Sequence, residues 1–368
     1  MQFKLFSIPA KGDVESEEEL NRFLRSHRAV SVQKQLVNNG PNIPPVRLAC
    51  WLLLARANHP GALTWARFGC KITVPDVPGS LPAESHVMVY EAEIGSRNPT
   101  CFLFLIDQSG SMGKPWAADS AKTKAQGVAD AVNRLLQALV YRSARGDHVL
   151  DRYWIGVVGY SGDEDIGLGF LGELAGEALQ PVSRIAARPL RVERRSKKVD
   201  DGAGGLVEQV INFPVWFDPA AHGRTPMCKA LVAAHLVVAG FVGKYPNCFP
   251  PIIINITDGA ATDGNPEPFA IELQGIASTD GNVLVFNIHI SESGMQPVLF
   301  PTCQEMLVDP YAQMLFRMSS PLPPAMLAQA RMAECSVADG ARGFGFNADL
   351  ASVVTFLDIG TRVDTRTR

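Results

Sequence analysis

The chain has 368 residues, 46% of them apolar and 19% charged, with a net charge of −3. That length can bury a large core and exceeds one average domain. The near-neutral balance excludes a general electrostatic pull toward nucleic acid or anionic membrane, so any such contact needs a local patch.

The opening MQFKLFSIPAKGD has no uninterrupted apolar stretch of signal-peptide length. The best spanning candidate, Val46 to Ala57, is about a dozen residues with Arg47 and Arg56 inside it, too short for a bilayer. Seven cysteines (Cys50, Cys70, Cys101, Cys228, Cys248, Cys303 and Cys335) form an odd set without a Cys-x-x-Cys pair. Thiols in apolar runs behave as small hydrophobes. A reducing, cytoplasmic setting and no membrane contact are the expectation.

Residues 1–40 read as a small β-α-β extension. Phe3, Leu5 and Phe6 suggest a strand. Glu15 to Ser26 suggests a helix, with Glu17, Glu18 and Glu19 in its first turn and Leu20, Phe23 and Leu24 as its stripe. Val30, Val32 and Leu36 suggest a second strand. Residues 41–87 lose periodicity and collect Pro75, Pro78, Gly79 and Pro82, which predicts an irregular linker. A main domain is expected over 88–361, followed by a tail, 362–368.

That domain alternates strand and helix. Strands are predicted at Cys101–Ile106, Tyr153–Tyr160, Pro251–Thr257, Val283–Ile290 and near Gly343–Phe346. Helices are predicted at Trp116–Tyr141, after Gly223-Arg224-Thr225-Pro226, at Glu267–Ala277, Tyr311–Met318, Ala325–Glu334 and from Asp349. Residues 161–222 read as irregular. Such alternation implies an α/β fold: a doubly wound, mostly parallel sheet with helices on both faces.

The stretch CFLFLIDQSGSM runs six apolar residues into Asp107, Ser109 and Ser111. It reads as a strand buried on both faces whose polar loop leaves the carboxyl edge, where open α/β sheets bind ligands. Thr225 and Asp258 stand at corresponding places after other breaks. Carboxylates and hydroxyls are hard donors, suited to Mg²⁺, with Mn²⁺ or Ca²⁺ as alternatives. Alone, Asp107 to Ser111 could equally be a turn capping the next helix.

DQSGSM, GRTPM and ITDG, in this order, resemble the metal-ion-dependent adhesion site of von Willebrand factor A domains. The resemblance implies direct metal contact by Ser109, Ser111 and Thr225, support from Asp107 and Asp258, and a partner's Glu or Asp completing the shell. EAEIGSRNPTCFLFLIDQSGSM, GRTPMCKAL and the closing FLDIGTR are most similar to bacterial cytoplasmic members related to tellurium-resistance proteins. That similarity implies a non-enzymatic binding module in signalling or stress response, with a protein kinase or phosphatase as partner. Residues 1–38 resemble the opening of small accessory proteins of bacterial retroelement reverse transcriptases. A mobile-element accessory role is therefore a further alternative, as is a leader appended before Met88.

Asp263 is a candidate supporting carboxylate. Seven basic residues lie between Arg184 and Lys198. Of these, Arg188, Arg191, Arg194, Arg195, Lys197 and Lys198 form a candidate docking patch for an acidic or phosphorylated partner, or else a solvated mobile loop or hairpin. Asp163, Glu164 and Asp165 read as an exposed turn, His289 as a core residue, and Cys101, Cys228 and Cys303 as buried thiols. Gly-Tyr-Ser161-Gly-Asp163 fails the Gly-x-Ser-x-Gly pattern, and no Gly-x-x-x-x-Gly-Lys loop is present. A metal-dependent hydrolase or phosphatase is the alternative from another class.

Overall fold

The computed structural model describes residues 2–9, 29–37, 47–54 and 90–361, except 93, 117–118, 163–164, 201–205, 291–295, 306, 308 and 349. Two units divide the chain, Leu5–Val89 and Met1–Lys4 with Tyr90–Arg368.

Near the amino terminus, β1 (Gln2–Pro9), β2 (Ala29–Val37) and β3 (Arg47–Leu54) form a sheet in the order β1-β3-β2. The expectation of an irregular linker over 41–87 is thus corrected at β3. That strand runs antiparallel to β2, with Leu52 opposite Val32 and Leu48 opposite Leu36. Its near-continuous apolar run has the length of a buried strand, a signal obscured by Pro44, Pro45 and Pro60 around it. The helix expected at Glu15–Ser26 lies outside the described residues.

In the larger unit, β4 (Thr100–Asp107) is buried along its whole length. A short 3-10 turn and a small antiparallel ladder follow, and only then α1 (Lys124–Ser143). The helix predicted from Trp116 therefore starts eight residues later. The cause is a capping box: Thr123 Oγ1 accepts from the Gln126 N–H at 3.2 Å, and Gln126 Oε1 accepts from the Thr123 N–H at 2.9 Å. Trp116 packs where Gly127 of α1 has no side chain; a Cβ there would stand 1.8 Å from its ring.

The chain continues through β5 (Tyr153–Ser161), β6 (Asp165–Leu168), α2 (Val182–Ala187), β7 (Arg191–Asp200) and β8 (Leu206–Val215). The region read as irregular over 161–222 thus contains an edge strand, a helical turn and a long hairpin. β7 and β8 pair from Arg191 opposite Val215 to Asp200 opposite Leu206. Charged and polar residues on both faces of β7 hide its period from a hydrophobic pattern.

Then come α3 (Met227–Lys244), β9 (Ile252–Thr257), α4 (Glu267–Gln274), β10 (Leu284–His289), β11 (Val298–Leu299), α5 (Pro310–Met318), α6 (Pro324–Met332), β12 (Phe344–Phe346) and α7 (Leu350–Thr361). Over 18 residues, α3 is long and apolar enough to cross a membrane, yet half of it is buried inside the protein. It serves here as a core helix.

The main sheet runs β6-β5-β4-β9-β10-β12-β11. Its five central strands are parallel, and the outer β6 and β11 are antiparallel. Phe102, Phe104 and Ile106 face a core with α1, α2, α6 and α7, whereas Cys101, Leu103 and Leu105 face one with α3, α4 and α5. Two apolar faces explain the unbroken apolar strand. The fold is α/β and doubly wound.

Candidate metal centre

Taken in chain order, the parallel strands lie second-first-third-fourth-fifth across the sheet, so the order reverses between β4 and β9. Ligands of doubly wound sheets bind in the crevice beyond the carboxyl ends at that reversal. Asp107 ends β4, and Asp258 directly follows β9.

The two aspartates are held by different partners. Asp107 is fully buried. One of its oxygens accepts from the Ser109 N–H at 2.8 Å and the other from Thr257 Oγ1 at 2.6 Å. Burial pushes its carboxyl up to about 6, against the lowering effect of those donors. Asp258 also has a buried side chain, its Oδ1 accepting from Ser111 Oγ at 2.6 Å and its Oδ2 from Lys124 Nζ at 2.8 Å.

Ser109 Oγ and Ser111 Oγ stand 3.0 Å apart. Since the Ser111 proton is directed at Asp258, Ser109 is the donor of that pair. Neighbouring ligands of an octahedral Mg²⁺ with bonds of about 2.0–2.1 Å are separated by about 3 Å. The serine spacing and the all-oxygen donor set therefore fit such an ion. Among the described residues, no group of three or more His, Cys, Asp or Glu side chains could hold a metal. A metal here would depend on the hydroxyls.

Thr225 belongs to a loop fastened to the first motif. The His222 N–H donates to Gln108 C=O at 2.7 Å, and the Gly110 N–H donates to Gly223 C=O at 3.1 Å. Thr225 is 6% exposed and is gripped through its backbone by Thr262, at 3.1 Å from its N–H and 2.9 Å from its C=O. Asp263 joins differently: its two oxygens accept from the Cys228 and Lys229 N–H groups at 3.1 and 3.0 Å. It caps α3 directly behind Thr225, satisfying amides that the helix leaves free.

Several features of this edge were not legible in the sequence. Lys124 is 1% exposed and reaches Asp258 from the first turn of α1. Beneath the site, Tyr160 donates to Asn255 (2.8 Å), Asn255 to Asn287 (3.0 Å) and Asn287 to Ser319 (3.0 Å), a buried polar row inside apolar strands. Ser161, at the end of β5, lies 2.9 Å from His222 Nε2. The isolated asparagines within PIIINIT and VLVFNIHI are the sequence signals for the polar row.

His289 is buried, stacks on Phe346 at 5.5 Å and has Nε2 3.5 Å from Asp309 Oδ2, beyond a good hydrogen bond. Burial lowers its affinity for a proton, outweighing the opposing effect of Asp309. Unfolded imidazole titrates near 6.5. The unfolded chain therefore binds the proton more readily, and folding stability falls as pH drops below about 6.5 through the folded value. Urea unfolding of His289→Phe is expected to show a shallower acid-side loss than the parent; an unchanged slope would remove His289 as its source.

The basic segment is largely paired within the protein. Arg191 meets Glu193 and Asp218, Arg195 meets Glu193 and Asp130, and Arg188 meets Glu173. Arg194 is exposed on β7, and the side chains of Lys197 and Lys198 lie outside the described set. Asp163 and Glu164 are also outside it, and Asp165 opens β6 opposite Ser161. Cys101 and Cys228 are buried, their thiols pushed up by burial; Cys303 is exposed, which corrects the expectation of a buried thiol. A turn with Thr302 and Glu305 places Cys303 at the surface, beside the Glu305 carboxylate that raises its thiol.

No family model matches the chain, and no curated protein matches it. Among solved structures, proximal thread matrix protein 1 from the mussel byssus is similar at 15% identity and a TM-score of 0.37, covering 74% of this chain. The three N-terminal domains of the type V pili tip protein Mfa5 from Porphyromonas gingivalis match at 15% identity and 0.26, and its vWF domain at 14% and 0.25, each covering 45% of this chain. The chain spans 48%, 20% and 39% of those three chains, respectively.

Proposed function

We propose that the chain is a divalent-metal-dependent protein-binding module of the von Willebrand factor A type, completed by an acidic side chain from a protein partner. The observation that carries this reading is the oxygen cluster of Asp107, Ser109, Ser111 and Asp258 at the sheet's point of reversal, with the Thr225 loop fastened to it. Ser109, Ser111 and Thr225 would hold Mg²⁺, or Mn²⁺ or Ca²⁺, with Asp107 and Asp258 in support. A divalent ion there supplies a positive centre that a carboxylate can approach.

The chain's own groups pre-arrange that centre. Thr257 and the Ser109 amide fix Asp107, while Ser111 and Lys124 fix Asp258. Hydroxyl ligands are neutral, so they leave most of the positive charge for the partner. Such a donor set suits recognition. The similarity to tellurium-resistance-type proteins extends the proposal to cytoplasmic signalling or stress response beside a protein kinase or phosphatase.

Calorimetric titration with MgCl₂ and MnCl₂ is expected to find one site, weakened by Thr225→Ala at least on the order of the 10- to 100-fold that residues merely supporting a ligand contribute. The unfolding midpoint of the EDTA-treated protein should be the same for parent and variant. Equal metal affinity in the two would remove the reading. One observation favours the hydrolase alternative: the Ser161–His222 hydrogen bond at the same sheet edge. Metal-supported turnover of generic phosphomonoesters or esters, abolished by His222→Ala, would decide for it.

A further inference from the structure

Lys124 is a positive charge built into the centre itself. Its side chain is 2% exposed, that of Asp258 is 0% exposed, and the two meet at 2.8 Å. Lysine is also the wrong charge for this place in a helix. The first turn of α1 carries the positive end of the helix dipole, which favours acidic residues. Its presence there therefore needs a tertiary cause, and the buried Asp258 carboxylate supplies one.

Ionised Asp107 and Asp258 contribute two negative charges, and Lys124 returns one. A divalent ion would neutralise the two carboxylates alone, but with Lys124 in place the loaded centre has one positive charge in excess. We propose that Lys124 is a resident cation that lowers the affinity of the empty-handed centre for metal and raises that of the loaded centre for an anionic ligand. The inference rests on the metal-binding reading above. Metal and ligand then promote each other's binding by the same factor, as linkage requires. The ligand class follows from the charge: a single carboxylate, such as a Glu or Asp side chain, restores neutrality.

The test compares the full-length parent with Lys124→Met and Lys124→Arg by calorimetric titration with MnCl₂. Each titration is run in sodium chloride and in sodium acetate of equal ionic strength. Lys124→Met is expected to bind Mn²⁺ more tightly than the parent by on the order of tenfold, a typical coupling between sites. Acetate should tighten Mn²⁺ binding more in the parent and in Lys124→Arg than in Lys124→Met. Thermal unfolding should also become more metal-dependent in Lys124→Met, because only the ion then neutralises Asp258. Should that variant fail to fold without metal, Lys124→Gln keeps a hydrogen-bond donor without the charge and supports the same comparison. Equal Mn²⁺ affinity in parent and neutral variants, or an acetate effect undiminished by the loss of charge, would overturn the role of Lys124 while leaving the metal site standing. No Mn²⁺ binding by any of the proteins would overturn both.

Discussion

Asp258→Asn is expected to destabilise the EDTA-treated protein by about 3–5 kcal/mol, the usual effect of breaking a buried ion pair from one side. The amide leaves Lys124 Nζ buried at 2.8 Å from a neutral group and weakens the acceptor that holds Ser111 Oγ at 2.6 Å. Lys124→Met alone should also destabilise, by stranding the carboxylate. The double variant Lys124→Met/Asp258→Asn removes both charges and should recover much of the loss, because a buried pair and a well-packed neutral replacement are often comparable in stability. A double-mutant cycle by urea unfolding would then give a coupling of about 3 kcal/mol or more, since the double variant should lose less than either single one. Additive single effects would mean that the pair contributes nothing as a pair.

The same lysine shows where sequence reasoning runs out. Asp107, Ser109, Ser111, Thr225 and Asp258 were legible because each follows an apolar strand or opens a helix, and a parallel sheet brings such positions to one edge. Lys124 had no such marker while the helix was drawn from Trp116, since it then fell in mid-helix. Thr123-Lys124-Ala125-Gln126 is a capping-box pattern, and reading it would have moved the helix start and brought Lys124 to the site. Its partner lies 134 residues away, which no local pattern reports. The strands β4, β5, β9 and β10 were readable from their apolar runs, which supply both cores. The hairpin β7–β8 was open only as an alternative to a loop, because its pairing depends on backbone hydrogen bonds between strands whose side chains have no clear apolar period. In β3 the apolar run has the length of a buried strand, but the prolines around it read as a linker.

The other large effect is expected at Gly223→Ala, where no side chain can be accommodated. Gly223 has φ of +68°, and a Cβ there would meet the Cα and N of Gly162 at 2.5 Å, backbone against backbone. The left-handed conformation alone costs a non-glycine residue about 1–3 kcal/mol when held in place. The clash adds to this, since Gly162 has a φ of +69° of its own to preserve. What moves in response is the loop that carries Thr225 and donates and accepts at Gln108 and Gly110. Gly223→Ala should therefore both lower the unfolding midpoint and weaken Mn²⁺ binding at least as much as Thr225→Ala. Gly240→Ala is the control. That glycine lies within α3 with open space around its Cβ position, so alanine there should stabilise by about 0.5–1 kcal/mol and leave metal affinity unchanged. If Gly223→Ala lowered stability but bound Mn²⁺ like the parent, the conformation of this loop would not be what holds the centre together.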